Sequence, residues 1–310
     1  MASPVLIDTD PGIDDALALL LAWSSPEISV EAVTTVAGNV PVEQGMVNVF
    51  RLLALRQPTP RPVIAMGAAE PLARTLVTGQ RYHGEDGLGD LANWPETPKP
   101  PLEPDAVSVI IDQARRSQRL LTLVALGPLT NLALTLKADA GAVSLIGRIV
   151  AMGGAVDVPG NVTPTAEFNM YVDPEAAHRV LAARLPLHLV PLDATRQAVL
   201  PRAGIKSALR RATGPLAERI VAFTERGFRI DHASGAQGLV LHDPLALALA
   251  IDPTLAEWEP VRLVIGPEGE TQRTSGEPNC RIAKGIDADR FLRLFLDRLC
   301  PALPRRRASS

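Results

Sequence analysis

Cysteine is nearly absent from this chain: Cys280 and Cys300 are the two in 310 residues. Two isolated thiols supply neither a disulfide framework nor the paired spacing of a zinc site, so buried or incidental thiols in a reducing compartment are expected. Charge of one sign is lacking too. Thirty-one basic against 34 acidic residues leave a formal net charge of −3, which offers no field for a nucleic acid or a membrane surface. The one cationic run, Arg305-Arg306-Arg307, is expected to belong to a solvated basic tail over 304–310. No apolar run is long enough for a bilayer, and no charged region followed by an apolar stretch opens the chain. A cytoplasmic protein is the expectation. Low-complexity linkers and internal repeats are missing as well, so 1–303 is expected to fold as one domain.

What is present is ordinary for a globular protein in bulk, 46% hydrophobic and 21% charged, but strongly patterned along the chain. Apolar β-type runs at Val5–Asp8, Ser29–Val36, Pro62–Ala65, Leu120–Leu126, Arg148–Met152 and Leu187–Pro191 alternate with helical patterns. The helices are expected at Ile13–Trp23, Val42–Leu55, Asp105–Ser117, Leu129–Leu136 and Pro174–Ala183. Such alternation predicts an α/β fold with a doubly wound, mostly parallel, Rossmann-like sheet. Beyond Pro191 the pattern turns helical, at Arg202–Arg211, Pro215–Phe228, Pro244–Ile251 and Asp289–Leu299, with a late hairpin from Val261–Gly266 and Gln272–Thr274. Open α/β sheets bind ligands at the carboxyl ends of their strands. Those ends are therefore where polar residues matter.

The first strand ends in Asp8-Thr9-Asp10-Pro11-Gly12-Ile13-Asp14-Asp15, four carboxylates within eight residues. Two unit charges about 5 Å apart repel by roughly 3 kcal/mol at an effective dielectric of about 20. A helix N-terminus offsets only about 0.3–1 kcal/mol of this per charge. The cluster therefore calls for a cation or shared protons, and all-oxygen donors point to calcium or magnesium. An EF-hand is excluded by the spacing and the missing closing glutamate.

Other strand ends carry Gly38-Asn39, Gly127-Pro128-Leu129-Thr130-Asn131, Gly153-Gly154 before a loop with Asn161, Glu167, Phe168 and Asn169, and His242-Asp243-Pro244. Each has a plain structural reading. Asp-Pro recurs at Asp10, Asp173, Asp243 and Asp252; for Asp173 and Asp252 simple helix capping is expected, and Asp243 could cap the helix that Pro244 opens. Asn39 alone would be a turn residue. Isolated, His83 and His242 would be surface or capping histidines.

Together, and in this order, Asp-Thr-Asp-Pro-Gly-Ile-Asp-Asp-Ala, Gly38-Asn39, His83-Gly84-Glu85-Asp86-Gly87-Leu88-Gly89, Ala125 to Asn131, Met152-Gly153-Gly154, Ala166-Glu167-Phe168-Asn169 and His242-Asp243-Pro244 resemble the inosine-uridine-preferring nucleoside hydrolase family, from residue 5 to about residue 299. The resemblance implies hydrolysis of the N-glycosidic bond of small-molecule ribonucleosides to ribose and free base, with one bound calcium ion (Ca2+). It implies metal ligation by Asp10, Asp15, Asp243 and the carbonyl of Leu126, with Asp10 also the general base and His242 the acid for the departing base. Asp14, Asn39 and Asn169 would hold ribose hydroxyls, Asn161 and Glu167 the 5′-hydroxyl side, and Met152 would line the substrate site. His83 would stand near the base on a lid spanning Thr78 to Asp90, and Asp8 would support the cluster from behind. Glu167 and Asn169 would share a face of an extended loop, with Phe168 pointing away.

One stretch departs from the family pattern. Many members place tyrosines in the helix before the histidine motif, whereas 223–232 offers Phe223, Phe228, Arg229, Asp231 and His232, and the chain's two tyrosines are Tyr82 and Tyr171. This leaves the preferred base open. Family analogy implies a homodimer or homotetramer. Two alternatives stand beside this reading: a magnesium-dependent phosphoaspartyl-type phosphatase, which would need a lysine at a strand end, and a non-catalytic nucleoside- or ribose-binding protein. Only Lys99, Lys137, Lys206 and Lys284 are available for the former.

Overall fold

The computed structural model describes residues 2–97, 104–209 and 215–299. Its centre is an eight-stranded sheet. Six strands, Ser3–Thr9 (β1), Ile28–Thr35 (β2), Val63–Met66 (β3), Thr122–Ala125 (β4), Arg148–Met152 (β5) and Leu187–Val190 (β6), run parallel in the order β3-β2-β1-β4-β5-β6. Cys280–Ile286 extends the sheet parallel to β6, and Ala256–Val261 closes it antiparallel at the edge. The doubly wound single domain is thus as expected. Among the described residues no helix is long and apolar enough to cross a membrane.

Successive side chains of a strand point to opposite faces, and both faces here are covered. Val5 and Ile7 of β1 join the core that contains the helices Ile13–Ala22 and His242–Ile251. Leu6, between them, joins the opposite core, under Ala106–Ser117, Thr130–Ala138 and Pro174–Ala182. That explains why β1 reads as a continuous apolar run rather than an alternating one. The Ile13–Ala22 helix has all ten residues buried, its two aspartates included. Burying one leucine side chain contributes about 1.5–3 kcal/mol. The carboxylates at its first turn are therefore carried inward by an apolar helix that cannot retreat to solvent.

The chain moves from β1 outward through β2 to β3, then returns to lay β4 on the other side of β1. The winding reverses there, which opens a crevice between the ends of β1 and β4. Asp8 is in register with Ala125, and the Leu126 N–H donates to the Asp8 carbonyl at 2.7 Å. Asp10 and Leu126, far apart in sequence, leave adjacent strands at the same level.

Several expectations are corrected. Leu120 falls in a 3-10 turn, Gln118–Leu120, and is 75% exposed; the strand begins only at Thr122. The helix expected at Leu129–Leu136 runs over Thr130–Ala138, with Leu129 as its cap residue. The late hairpin pairs Leu263–Ile265 with Thr271–Arg273, while Val261 belongs to the edge strand. Ala256–Val261 and Cys280–Ile286 were hidden as strands by mixed, partly exposed sequences, and their pairing partners are distant in the chain. Glu167 caps a short helix, Phe168–Val172, so the Glu-Phe-Asn motif is not extended. The tail at 304–310, Cys300 and the end of the expected Arg202–Arg211 helix lie outside the described residues.

Candidate active site

The turn Asp10-Pro11-Gly12 joins β1 to the Ile13–Ala22 helix, with extended Gly12 as its cap residue. Glycine is required here by close approach: a Cβ would lie 2.7 Å from His83 Cε1. Gly127 serves Asp10 in the same way, since a Cβ there would stand 2.6 Å from Asp10 Oδ1. Asp14 and Asp15 occupy the first helical turn, where the helix dipole favours negative charge.

Asp15 is fully engaged: its Oδ1 accepts from Thr9 Oγ1 at 2.5 Å, and its Oδ2 accepts from Gly12 N and Asn39 Nδ2, each at 2.9 Å. Asp10 is different. Its Oδ2 accepts from Asn39 N at 2.7 Å, but its buried Oδ1 has no partner. Asp243 stands in the first turn of the His242–Ile251 helix; because that helix starts at His242 with Leu241 as cap residue, Asp243 does not cap it and its carboxylate is left to the cluster. Oxygens of Asp14, Asp15 and Asp243 lie within 4.8 Å of one another. The tightest grouping therefore contains Asp14, expected as a sugar holder, alongside two of the expected ligands.

Burial and the mutual repulsion of these groups push the Asp10 and Asp243 carboxyls well above their ordinary range, and Asp14 up to about 8. Among the described residues no ion pair reaches any of them. The donor set is all oxygen, concentrated, short of positive charge and has an orphaned oxygen, so it suits a hard divalent cation. Among the described residues no lysine pairs with the cluster, as the phosphatase reading requires; Lys284 pairs with Glu259 on the surface.

Asp8, in β1, is bound through one oxygen, its buried Oδ2 having no partner. Its Oδ1 accepts from Thr34 Oγ1 at 2.6 Å and Asn131 Nδ2 at 2.7 Å, and burial lifts its carboxyl to about 6. Asn131 also donates to the Thr35 carbonyl and accepts from Ala68 N, so one side chain ties together the ends of three neighbouring strands.

The far wall comes from the loop after β5. Asn169 Nδ2 donates to the carbonyls of Leu126 at 2.7 Å and Met152 at 3.2 Å. Glu167 Oε1 accepts from Asn169 N, and its Oε2 from Gly154 N and Met170 N, which occupies it with backbone. Asn161 is exposed, and its Oδ1 accepts from Phe168 N. Asp173 and Asp252 are helix caps, as expected.

Two histidines close the rim. His83 is buried, its Nδ1 accepts from Ile13 N at 2.9 Å, and burial lowers its pKa to about 4. It is thus neutral with the proton on Nε2. Its segment is tied to neighbouring helices: Arg51 pairs with Asp86, and Arg226 bonds the Tyr82 carbonyl and Asp90. His242 is part-buried, with Nδ1 2.7 Å from Thr195 Oγ1, and burial together with the Arg196 charge lowers its pKa to about 4. Thr195 was missed from sequence, although it lies just past the end of β6, where a search of strand ends could have found it. Tyr82 and Asp231 were also missed as a pair. Phe223 and Phe228 are buried in the core.

The comparisons agree with this geometry. The sequence model described as "Inosine-uridine preferring nucleoside hydrolase" matches residues 5–293. The pyrimidine-specific ribonucleoside hydrolase RihA of Escherichia coli O1:K1 / APEC is 38% identical, with 96% of this chain and 99% of that protein covered. RihA of Shewanella sp. (strain ANA-3) is 37% identical, with 98% of each covered. Among solved structures, a purine-preferring ribonucleoside hydrolase from Gardnerella vaginalis superposes with a TM-score of 0.89 at 30% identity over 96% of this chain and 98% of that one. A plant nucleoside hydrolase, the PpNRh1 enzyme, gives 0.91 at 30% identity over 97% of this chain and all of that one (100%). A carboxylate cluster at the switch point of the sheet, a histidine-lined rim and these likenesses lead to one conclusion: the chain belongs to the inosine-uridine preferring nucleoside hydrolase family and is a ribonucleoside hydrolase.

Proposed function

We propose that the protein is a calcium-dependent hydrolase of ribonucleosides, pyrimidine ribonucleosides foremost, acting in the cytoplasm as a homodimer or homotetramer. The observation that carries the chemistry is the unpartnered, buried Oδ1 of Asp10 at the head of the cluster. The base preference rests on the pyrimidine-specific relatives at 38% identity.

Asp10, Asp15, Asp243 and the Leu126 carbonyl would hold the cation, calcium suiting a loose set of oxygens better than magnesium, which demands a tight octahedron. When bound, such an ion acidifies a coordinated water and orients sugar hydroxyls. Asp10 is the general base: Asn39 N fixes its Oδ2, so Oδ1 keeps a single direction in which to take a proton from water. Hydrolysis through an oxocarbenium-like state needs that water on the face opposite the leaving base. Asp14, Asn39 and Asn169 hold ribose hydroxyls, and Met152 lines the sugar's wall. Glu167, whose oxygens already accept three backbone N–H groups, shapes the 5′ side with Asn161.

His242 assists departure of the base. Its imidazole is neutral at pH 7, and with the Thr195 hydroxyl donating to Nδ1 its Nε2–H is left to donate to the leaving base. His83 offers its Nε2–H from the same rim.

The test is turnover of a panel of purine and pyrimidine ribonucleosides, with and without a calcium chelator, measured as free base and ribose. Release of both products, strongest for pyrimidine ribonucleosides and lost on chelation, is expected. No product from any nucleoside overturns the hydrolase reading, and turnover that survives chelation overturns the metal's role.

A further inference from the structure

We propose that Tyr82 is the positioning residue for His83, and that Asp231 and Arg226 set nucleoside affinity by holding Tyr82 from the Pro215–Ala233 helix. The inference rests on the nucleoside hydrolase reading of the site and adds residues to it whose side-chain hydrogen bonds go to one another and to the backbone rather than to the carboxylate cluster.

Tyr82 and His83 share one helical turn, Gln80–His83. The helix Pro215–Ala233 grips that turn at two points. At the side chain, the Tyr82 hydroxyl donates to Asp231 Oδ1 at 2.9 Å. At the backbone, Arg226 Nε donates to the Tyr82 carbonyl at 2.9 Å and Nη2 to the Arg81 carbonyl at 3.1 Å. The Tyr82 ring then meets the His83 imidazole edge-on, with centroids 4.8 Å apart and planes at 62°. His83 in turn accepts the otherwise unpaired N–H of Ile13 at the start of the first helix, beside Asp14. Asp231 has a second bond: its Oδ2 accepts from Val240 N at 2.9 Å, two residues before His242. One buried carboxylate therefore links the segments that carry both rim histidines. Gly227 makes room for the arrangement, since a Cβ there would stand 2.7 Å from Leu239 Cδ1 and 3.3 Å from the Tyr82 hydroxyl.

A ring held against an imidazole at one angle restricts where Nε2–H can point. Preorganisation of this kind lowers the ordering cost of binding. It acts on the part of the ligand that meets the rim, so nucleoside binding should depend on it and ribose binding should not. Loss of a hydrogen bond to a charged partner corresponds to about a tenfold change in affinity or more.

The test uses Tyr82→Phe and Asp231→Asn, with Arg226→Ala as the variant that leaves the phenol bond in place. KM and kcat for ribonucleosides and the inhibition constant of free ribose are measured for each. The same affinities are taken by calorimetry in an Asp10→Asn background loaded with calcium. Tyr82→Phe and Asp231→Asn are expected to raise KM about tenfold, with kcat within about twofold and ribose inhibition unchanged. The double variant should be no worse than Asp231→Asn alone, because the Tyr82 bond is common to both substitutions while Asp231 also holds Val240 N. Arg226→Ala should raise KM about threefold, again sparing ribose. Unchanged KM in Tyr82→Phe, or ribose affinity weakened as much as nucleoside affinity, would overturn the proposal. If the wild type released no product, the hydrolase reading would fail by itself. The calorimetric comparison of nucleoside with ribose would still decide this inference.

Discussion

Asp10-Pro11 and Asp173-Pro174 are the same dipeptide, both at the entrance to a helix, and both aspartates are 0% exposed. Their surroundings are opposite. Asp173 accepts from Ala176 N at 2.9 Å, Leu72 N at 2.9 Å and Thr130 Oγ1 at 2.7 Å, and stitches three segments together. Asp10 has one donor, a bare Oδ1, and Asp14, Asp15 and Asp243 raising its pKa or sharing the charge burden. Buried polar groups in native proteins are nearly always satisfied. Asp173 obeys that rule and Asp10 breaks it, a difference between two identical dipeptides that lies wholly in their hydrogen-bond partners.

Substitution should break the comparison apart. Asp10→Asn keeps the shape and the bond from Asn39 N, yet removes the proposed base; turnover should fall about a thousandfold, within the range general base catalysis supplies, while the circular dichroism spectrum is retained. Substantial residual turnover would remove Asp10 as base. Relieved of repulsion, the metal-free variant should also melt higher than the metal-free wild type. His242→Ala comes next, with a loss of about a hundredfold on natural nucleosides and a smaller one on substrates whose leaving group needs no assistance. An equal effect on both would contradict its role.

Asp173→Ala should do the reverse of Asp10→Asn. Leaving its donors unpaired should cost about 3 kcal/mol of stability by denaturant unfolding. The turnover of the folded fraction should be preserved, and a specific loss of turnover without loss of stability would refute the division.

The smallest expected effect is a drift with pH, and its sign follows from the raised carboxyls. Asp8 rises from 3.8 to about 6 and Asp14 from 3.8 to about 8 on folding. A group whose folded pKa lies above its unfolded value contributes fully below the unfolded pKa, and that contribution disappears as pH climbs through the folded one. The metal-free protein should therefore melt progressively lower between about pH 4 and 8. Calcium should reverse the trend and expel protons as it binds at pH 7, measurable in weak buffer. A melting temperature that rises over this range without metal would contradict the buried, uncompensated state of the cluster.

Much of the fold is legible in the chain because its apolar runs are continuous and its helices are patterned: Arg148–Met152 is bounded as expected, and the Ile13 start of the first helix follows from Pro11-Gly12. The strand Cys280–Ile286 is not legible, since Arg281, Lys284 and Gly285 interrupt it and its partners are β6 and Ala256–Val261. In the site, the motifs name Asp10, Asp14, Asp15, Asn39 and Asp243. They say nothing of Thr195 beside His242, whose one signal is its place after a strand end, or of Asp231 beneath Tyr82, a lone aspartate in a helix with no local signal.

The amino-acid order alone determined that four carboxylates would crowd the end of a buried strand, because local charge density and apolar flanks are properties of neighbours in sequence. Only the tertiary structure decided which of them is satisfied and which is left bare. Asn39, Leu126, Asn169 and Asp243 reach the crevice from separate segments, and the reversal of strand order at β1 and β4 is what opens that crevice. Hydrogen-bond satisfaction is a property of neighbours in space.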